Sequence, residues 1–393
     1  MATQTTDRLR LTNTHASGKL RVLMVTAHFF PAMGGIETHV YEVGRRLAHA
    51  GVDVTVLTTM PQGVHAHFPL PRETESNGMQ IIRVNAWSHT SDLCIAPQVY
   101  AVIKEGSWDL VHCQGIHTLV PPLAMLAAKQ ARLPFIVTFH TGGHSSSLRT
   151  KVRSTQWKVL RPLLANAEHL IGVSQFEANH FRDLLHLPAQ QFTVIPNGAE
   201  LPAVQYSSME TPDHTLIVSV GRLERYKGHQ HMITALPKIR ERRPDAQLLI
   251  LGAGPYETSL RKLAHKVGVA EQVEIRAVPA GNRQEMASIL SQASLVALMS
   301  EYEAHPVAVM EALSLQRPVL GIHAAGLQEL AERGLIRTMP LNSTPEEVAA
   351  AALQQIEEPL VPTHLTLPTW DECMDKLLTV YESVALKRQL QVA

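Results

Sequence analysis

Residues Arg21–Thr58 read R-V-L-M-V-T-A-H-F-F-P-A-M-G-G-I-E-T-H-V-Y-E-V-G-R-R-L-A-H-A-G-V-D-V-T-V-L-T. Arg21–Thr26 is a nearly continuous apolar run, the pattern of a strand covered on both faces. A Pro/Gly loop follows, Ile36–His49 places apolar residues at helical spacing, and Val52–Thr58 is a second strand. Strand, loop, helix and strand in so short a span make a βαβ unit with parallel strands.

The same rhythm runs outward from this unit. Leu110–Cys113, Phe135–Phe139, Leu170–Val173 and the short Thr193–Ile195 read as strands, with helices such as Pro121–Gln130 between them. Around Pro202–Asp213 the composition turns polar, which predicts a linker. The alternation then restarts: strands at Leu216–Val220, Gln247–Leu251, Val273–Ile275, Leu295–Leu298 and Val319–Gly321. Helices are predicted near Gln230–Arg242, Glu257–Lys266, Glu285–Gln292 and Val307–Ser314. Two α/β halves of similar size predict two Rossmann-like domains, with ligands beyond the carboxyl ends of the strands and therefore in a cleft between the halves. Trp370 to Leu390 reads as one amphipathic helix with Met374, Leu377, Leu378 and Tyr381 on one side. The expected division is a disordered tail at 1–18, a first domain at 19–203, a second at 213–369 and a terminal helix at 370–393.

Composition narrows the function. The 393 residues carry 35 Lys+Arg against 35 Asp+Glu, and a balanced charge argues against a nucleic-acid binder, which needs a basic face. Cys94, Cys113 and Cys373 are far apart with no C-x-x-C, which speaks against a disulfide framework or a cysteine zinc site and fits a reducing cytoplasm. Residues 1–18 lack the apolar core of a signal peptide, and no apolar run reaches the ~20 residues of a membrane span.

Three segments carry chemistry. In Ser300–Gly321, S-E-Y-E-A-H-P-V-A-V-M-E-A-L-S-L-Q-R-P-V-L-G, Pro306 opens a helix between Glu303 and Glu311. The first amides of that helix, at Val307 and Ala308, are open to an anion. In Val218–His229, V-S-V-G-R-L-E-R-Y-K-G-H, Arg222 and Lys227 follow a strand, two cations suited to a diphosphate. In His28–His39, Gly34 and Gly35 precede a helix and let the backbone approach a phosphate closely. Each segment alone also fits a solvated loop or a plain turn. The absence of D-x-D leaves no motif for a metal-bridged nucleotide sugar, and there is neither a G-x-S-x-G elbow nor a Walker A string.

Taken in order, G-G-x-E at the N-terminal side, P-N-G at Pro196–Gly198, G-R-L-x-x-x-K-G at Gly221–Gly228, the Glu-x7-Glu pair and the closing helix from Trp370 to Tyr381 resemble glycosyltransferase family 4. The resemblance runs from about residue 20 to 385. It implies the GT-B fold, with two Rossmann-like domains facing across a cleft and a terminal helix crossing back to the first. It implies a retaining transfer from a nucleoside-diphosphate sugar, UDP- or GDP-linked, to an acceptor hydroxyl, with no cofactor and no metal. By position, Arg222 and Lys227 would hold the diphosphate, Glu311 the ribose hydroxyls, and Glu303 the donor sugar. Gly34 and Gly35 would close on the donor, His140 in T-F-H-T-G-G-H would stand at the reaction centre, and the loop near Val278 would touch the base. Ala304-His305-Pro306 departs from the G-F-G of many members, so recognition of the sugar by His305, Pro306 and the following amides would differ.

A nucleotide-sugar epimerase of the same fold and a silent sugar-nucleotide-binding subunit are the alternatives. Replacing Arg222 or Lys227 is expected to lower turnover with little loss of stability. The acceptor would be a sugar, a lipid-linked or a small molecule. The segment 148–164, with Arg149, Lys151, Arg153, Lys158 and Arg161 and no acid, fits either a solvated helix or a peripheral contact with the inner membrane face, with Val152, Val159, Leu160 and Leu163 as its apolar stripe and Trp157 as its interfacial residue.

Overall fold

A computed structural model describes residues 18–32, 34–61, 70–87, 94–141, 147–203, 214–279, 282–362 and 365–392, without the side chains of 147–155, 391 and 392. The tail expected at 1–18 and the centre of the expected linker therefore lie almost wholly outside the described residues.

The first domain runs β1 (Arg21–Val25), α1 (Gly35–His49), β2 (Asp53–Thr59), β3 (Glu73–Ser76), β4 (Met79–Val84), α2 (Gln98–Glu105), β5 (Leu110–Gln114), α3 (Val120–Gln130), β6 (Phe135–Thr138), α4 (Ser147–Leu164), β7 (His169–Gly172), α5 (Gln175–Leu185) and β8 (Phe192–Val194). Its sheet has the order β3-β4-β2-β1-β5-β6-β7-β8, parallel throughout except for β3 against β4. The second domain runs β9 (Leu216–Val220), α6 (His229–Arg242), β10 (Gln247–Leu251), α7 (Glu257–Lys266), β11 (Val273–Arg276), α8 (Arg283–Gln292), β12 (Leu295–Leu298), α9 (Val307–Ser314), β13 (Val319–Ile322), α10 (Ala325–Glu332), β14 (Arg337–Met339) and α11 (Pro345–Glu357), and α12 (Trp370–Val392) closes the chain. The second sheet is β11-β10-β9-β12-β13-β14, all parallel. Two doubly wound α/β domains are thus what the strand runs predicted.

The continuous apolar strands follow from cover on both faces. Along β1, Leu23 and Val25 enter one apolar cluster with Val111, Met125 and Phe181, while Val22 and Met24 enter the opposite one with Val40, Leu47 and Trp370. The second sheet divides alike, Ile217 and Ile250 to one face and Val218 and Leu251 to the other. The period-2 alternation of a strand puts neighbours on opposite faces.

Helix α12 returns to the first domain. Trp370, Cys373, Leu377, Tyr381 and Val384 recur at helical spacing and lie in the cluster beneath β1 and β2. Trp370 and Tyr381 are wholly buried, and burying a large side chain contributes about 1.5–3 kcal/mol. Thr369 and Glu372 cap the helix reciprocally, each side chain accepting from the other's main-chain N–H at 3.0 Å.

The interfacial role expected of Trp157, Leu160 and Leu163 in the segment 148–164 is corrected by their packing. Trp157 is buried, edge-on to Phe181 with ring centroids 5.0 Å apart, and Leu160 and Leu163 pack against the first-domain core. The segment's aromatic residue faces inward because α4 must cover the sheet, and among its described apolar side chains Val159 is the exposed one. No helix among the described residues is long and apolar enough to cross a membrane.

Candidate active site

The carboxyl ends of the second sheet carry the predicted cations. After β9, Arg222 reaches the cleft surface and its guanidinium donates to the Tyr226 hydroxyl at 3.2 Å. A one-turn helix at Arg225–Lys227 ends at Gly228, whose φ of 74° and close approach to the Met299 carbonyl both exclude a side chain. That turn delivers Lys227, and its ammonium lies 2.5 Å from Glu303 Oε1 and over the Tyr226 ring. Both partners are largely enclosed, with 14% and 12% of their side chains exposed. Burial opposes the ammonium charge, but Glu303 outweighs it and the Lys227 pKa is raised.

Glu303 sits on the loop from β12 into α9. Gly326 fixes that loop: its N–H donates to the Glu303 carbonyl at 2.7 Å, and a methyl group there would overlap the Ala304 carbonyl. The α9 hydrogen-bond ladder starts with Val309 and Met310 donating to Pro306 O, so the Val307 and Ala308 amides are the unladdered donors of the first turn. Glu311 lies within α9, almost wholly buried, and its carboxylate pairs with Arg283 at the start of α8. Burial pushes its pKa up, Arg283 pulls it down, and Glu42 of α1 raises it further. The Val278 side chain belongs to the second-domain core, which leaves its main chain as the part able to face a base.

The first domain supplies the opposite wall. Gly34 is extended and Gly35 opens α1, with open space where its side chain would be. His140 follows β6 in the left-handed region at φ 47° and is 8% exposed. Its Nε2 is 2.8 Å from Gln114 Oε1, and its ring meets His39 edge-on at 4.5 Å. Burial, and then the fields of His39, His112 and His117, hold its pKa well below the ordinary range. Glu177, fully buried in α5, holds the loop: its carboxylate accepts from the Thr141 N–H at 2.6 Å, the Val173 N–H at 2.8 Å and the Thr141 hydroxyl.

The two walls meet. The Thr141 and Tyr302 hydroxyls are 3.2 Å apart across the cleft, which sets the His140 loop beside the Glu303 loop. The Phe176 N–H donates to Glu329 at 3.1 Å. His39 Nδ1 is 2.8 Å from Asn197 Oδ1 in the P-N-G segment, and Asn197 Nδ2 reaches the His305 carbonyl at 3.5 Å. Burial lowers the His305 pKa to about 4. The structure therefore gathers His140, Arg222, Lys227, Glu303, His305 and the α9 N-terminus around one cleft.

Sequence reasoning missed His39, Gln114, Glu177, Tyr226, Arg283 and Tyr302. Tyr226 and Tyr302 lie inside motifs already singled out, so their neighbours were a usable signal. Glu177 and Arg283 act on partners 36 and 28 residues away, which no local pattern announces. The expectation of little stability loss on replacing Lys227 took no account of its largely enclosed partner Glu303, 76 residues distant.

Residues 33–201 match Glycosyltransferase Family 4, and residues 207–365 match Glycosyl transferases group 1. The chain is 26% identical over 424 residues to D-inositol 3-phosphate glycosyltransferase of Nocardiopsis dassonvillei, covering 95% of this chain and 96% of that protein. It is 30% identical over 271 residues to the GDP-mannose-dependent alpha-(1-6)-phosphatidylinositol monomannoside mannosyltransferase of Mycobacterium tuberculosis, covering 64% and 66%. Among solved structures, sucrose-phosphate synthase of Thermosynechococcus elongatus superposes with a TM-score of 0.69 at 20% identity, covering 95% and 98%. Anabaena Alr3699/HepE in complex with UDP-glucose does so with 0.67 at 17%, covering 94% and 99%. With both domains matched in order along nearly the whole chain, this protein belongs to the glycosyltransferases of family 4 and group 1, and its facing Rossmann-like domains are the GT-B fold.

Proposed function

We propose that the chain is a retaining, metal-independent glycosyltransferase that moves a sugar from a UDP- or GDP-sugar to the hydroxyl of a sugar, lipid-linked or small-molecule acceptor, in bacterial glycan, glycolipid or glycoconjugate synthesis. The observation that carries the reading is the Lys227–Glu303 pair, with Arg222 and the α9 amides, lying opposite His140 across the Thr141–Tyr302 contact. Relatives named for GDP-mannose and a structure solved with UDP-glucose support the donor class.

The chemistry follows from the charges. Breaking the bond between the anomeric carbon and the phosphate oxygen develops negative charge on the departing diphosphate. Lys227, Arg222 and the Val307 and Ala308 amides stand where that charge grows, and one such preorganised donor is worth about 2.7–4 kcal/mol of barrier. Glu303 accepts hydrogen bonds from sugar hydroxyls and Glu311, held by Arg283, from the ribose. The acceptor oxygen attacks from the leaving-group side and its proton passes to the departing phosphate oxygen, which gives retention.

The deciding experiment is nucleotide release from UDP- and GDP-sugars with and without an acceptor panel, followed by proton NMR of the product's anomeric linkage. Acceptor-dependent release with retained configuration is expected. Release from the sugar nucleotide alone would favour the hydrolysing epimerase, and an inverted product would overturn the retaining assignment. Because protein cations occupy the diphosphate position, turnover should be unchanged in EDTA. Abolition by chelator with recovery in Mg²⁺ or Mn²⁺ would overturn metal independence.

A further inference from the structure

Behind His140 lies a chain of buried polar groups that take no direct part in the proposed transfer. His112 on β5 is fully buried, and its Nε2 is 2.8 Å from the Thr138 hydroxyl. Its Nδ1 receives two neighbours, the Tyr381 hydroxyl of α12 at 2.6 Å and Gln114 Nε2 at 3.1 Å. The other end of the Gln114 amide, Oε1, is the group 2.8 Å from His140 Nε2. A continuous hydrogen-bonded path thus runs from the terminal helix through the first sheet to the cleft.

We propose that Tyr381, His112 and Gln114 are positioning residues that fix His140 as the neutral tautomer with its proton on Nε2, leaving Nδ1 as a hydrogen-bond acceptor for a substrate hydroxyl. The direction of the chain follows from Tyr381. Its phenol is wholly buried, and a buried O–H needs an acceptor. His112 Nδ1 is the acceptor it reaches, so that nitrogen carries a lone pair and the His112 proton is on Nε2, donated to Thr138. Gln114 must then present its NH2 to His112 and its carbonyl oxygen to His140, and a carbonyl oxygen can bond a ring nitrogen only when that nitrogen carries the proton. Reversing the amide would set its carbonyl oxygen against the His112 Nδ1 lone pair, and protonating Nδ1 to suit that oxygen would leave the phenol proton stranded.

The role is orientation rather than proton removal. Burial disfavours an imidazolium at this position, and the acceptor's proton goes to the departing phosphate, so His140 aligns a hydroxyl without taking its proton. The other titratable groups around it keep to this arrangement. His39 packs edge-on against the ring, His117 Nε2 is 2.6 Å from the His140 carbonyl, and Glu177 accepts from the neighbouring Thr141 N–H.

The inference rests on the reading that His140 stands at the reaction centre, and the two are separable. In ¹⁵N-histidine-labelled protein at pH 7.5, the His140 ring, assigned by the signal lost in His140→Ala, should show a protonated Nε2 and an unprotonated Nδ1. Tyr381→Phe should convert this to a tautomer mixture, lower kcat by about tenfold, the low end of what losing an outer hydrogen-bond partner costs at metal-bound histidines, and leave the donor KM within about twofold. Gln114→Met, of similar volume, should act alike. In the His140→Ala background Tyr381→Phe should have no further effect on kcat, the non-additivity of residues acting as one unit. A wild-type His140 protonated on Nδ1, or Tyr381→Phe leaving the tautomer unchanged, would overturn the chain, as would an equal kcat loss in both backgrounds. Full turnover in His140→Ala alone would instead remove His140 from the reaction centre, while the ring signals would still decide the chain.

Discussion

Lys227→Ala should lower turnover at saturating donor by about a hundredfold to a thousandfold and also destabilise the fold. The kinetic part comes from removing one charged donor at the leaving phosphate, worth about 2.7–4 kcal/mol. The stability part comes from Glu303, a carboxylate 9% exposed whose Oε1 would lose its ion-pair partner. Breaking a buried pair from one side costs about 3–5 kcal/mol, because the surviving charge is left desolvated. The two losses can be taken apart. Lys227→Ala with Glu303→Gln should recover most of the melting temperature and none of the turnover. Arg222→Ala should show the contrast, a kinetic loss with a melting temperature near wild type, since Arg222 is solvent-exposed and its side-chain hydrogen bond goes to a neutral hydroxyl. Near-full turnover in Lys227→Ala would remove the ammonium from the diphosphate site. Unchanged stability would mean the Glu303 carboxylate is not held by this pair.

The parts of this molecule that were readable from sequence share a physical feature: each depends on neighbours close along the chain. Strands such as Leu216–Val220 and Leu295–Leu298 announce themselves because cover on both faces demands nearly unbroken apolar runs. Strand β3, E-T-E-S, has no such run. It is a half-exposed strand paired antiparallel to β4, and nothing in its composition distinguishes it from a loop. Glu303, Glu311, Arg222 and Lys227 were legible because each lies at a strand-to-helix junction with its own turn chemistry. Their partners were not. Tyr381 meets His112 across 269 residues, and Thr141 meets Tyr302 across 161, contacts that exist only once α12 has crossed back and the domains have faced each other. Trp157 shows the converse error. A tryptophan among basic residues suits a membrane interface as sequence, but the sheet beneath α4 needed a large side chain.

The second large effect should appear on acidification: the protein is expected to lose a large share of its stability between pH 7 and pH 5. His39, His229 and His305 are held neutral with pKa values of about 4, each lowered first by burial, and His112 and His140 are lowered further for the same reason. In the unfolded chain a histidine titrates near 6.5. Below that value the unfolded state binds protons that the native state refuses, so stability is complete above pH 6.5 and is lost as pH falls toward 4. A shift from 6.5 to 4 removes about 2 kcal/mol per histidine at pH 5, so His39, His229 and His305 together remove about 6 kcal/mol, a large share of the about 5–15 kcal/mol typical of a folded protein. Glu177 and Glu311 oppose this. Burial raises both, so each takes up a proton more readily in the native state and gains stability as pH falls; five histidines against two carboxyls set the net sign. His229 offers the clean test. It bonds the Ser219 hydroxyl through Nδ1 at 2.8 Å and the Arg222 carbonyl through Nε2 at 3.3 Å, two bonds an uncharged glutamine could replace. Urea unfolding of wild type and His229→Gln at pH 7.5 and pH 5 should show the variant losing about 2 kcal/mol less across that interval at equal m. Parallel losses in the two proteins would mean His229 is protonated as easily in the fold as out of it.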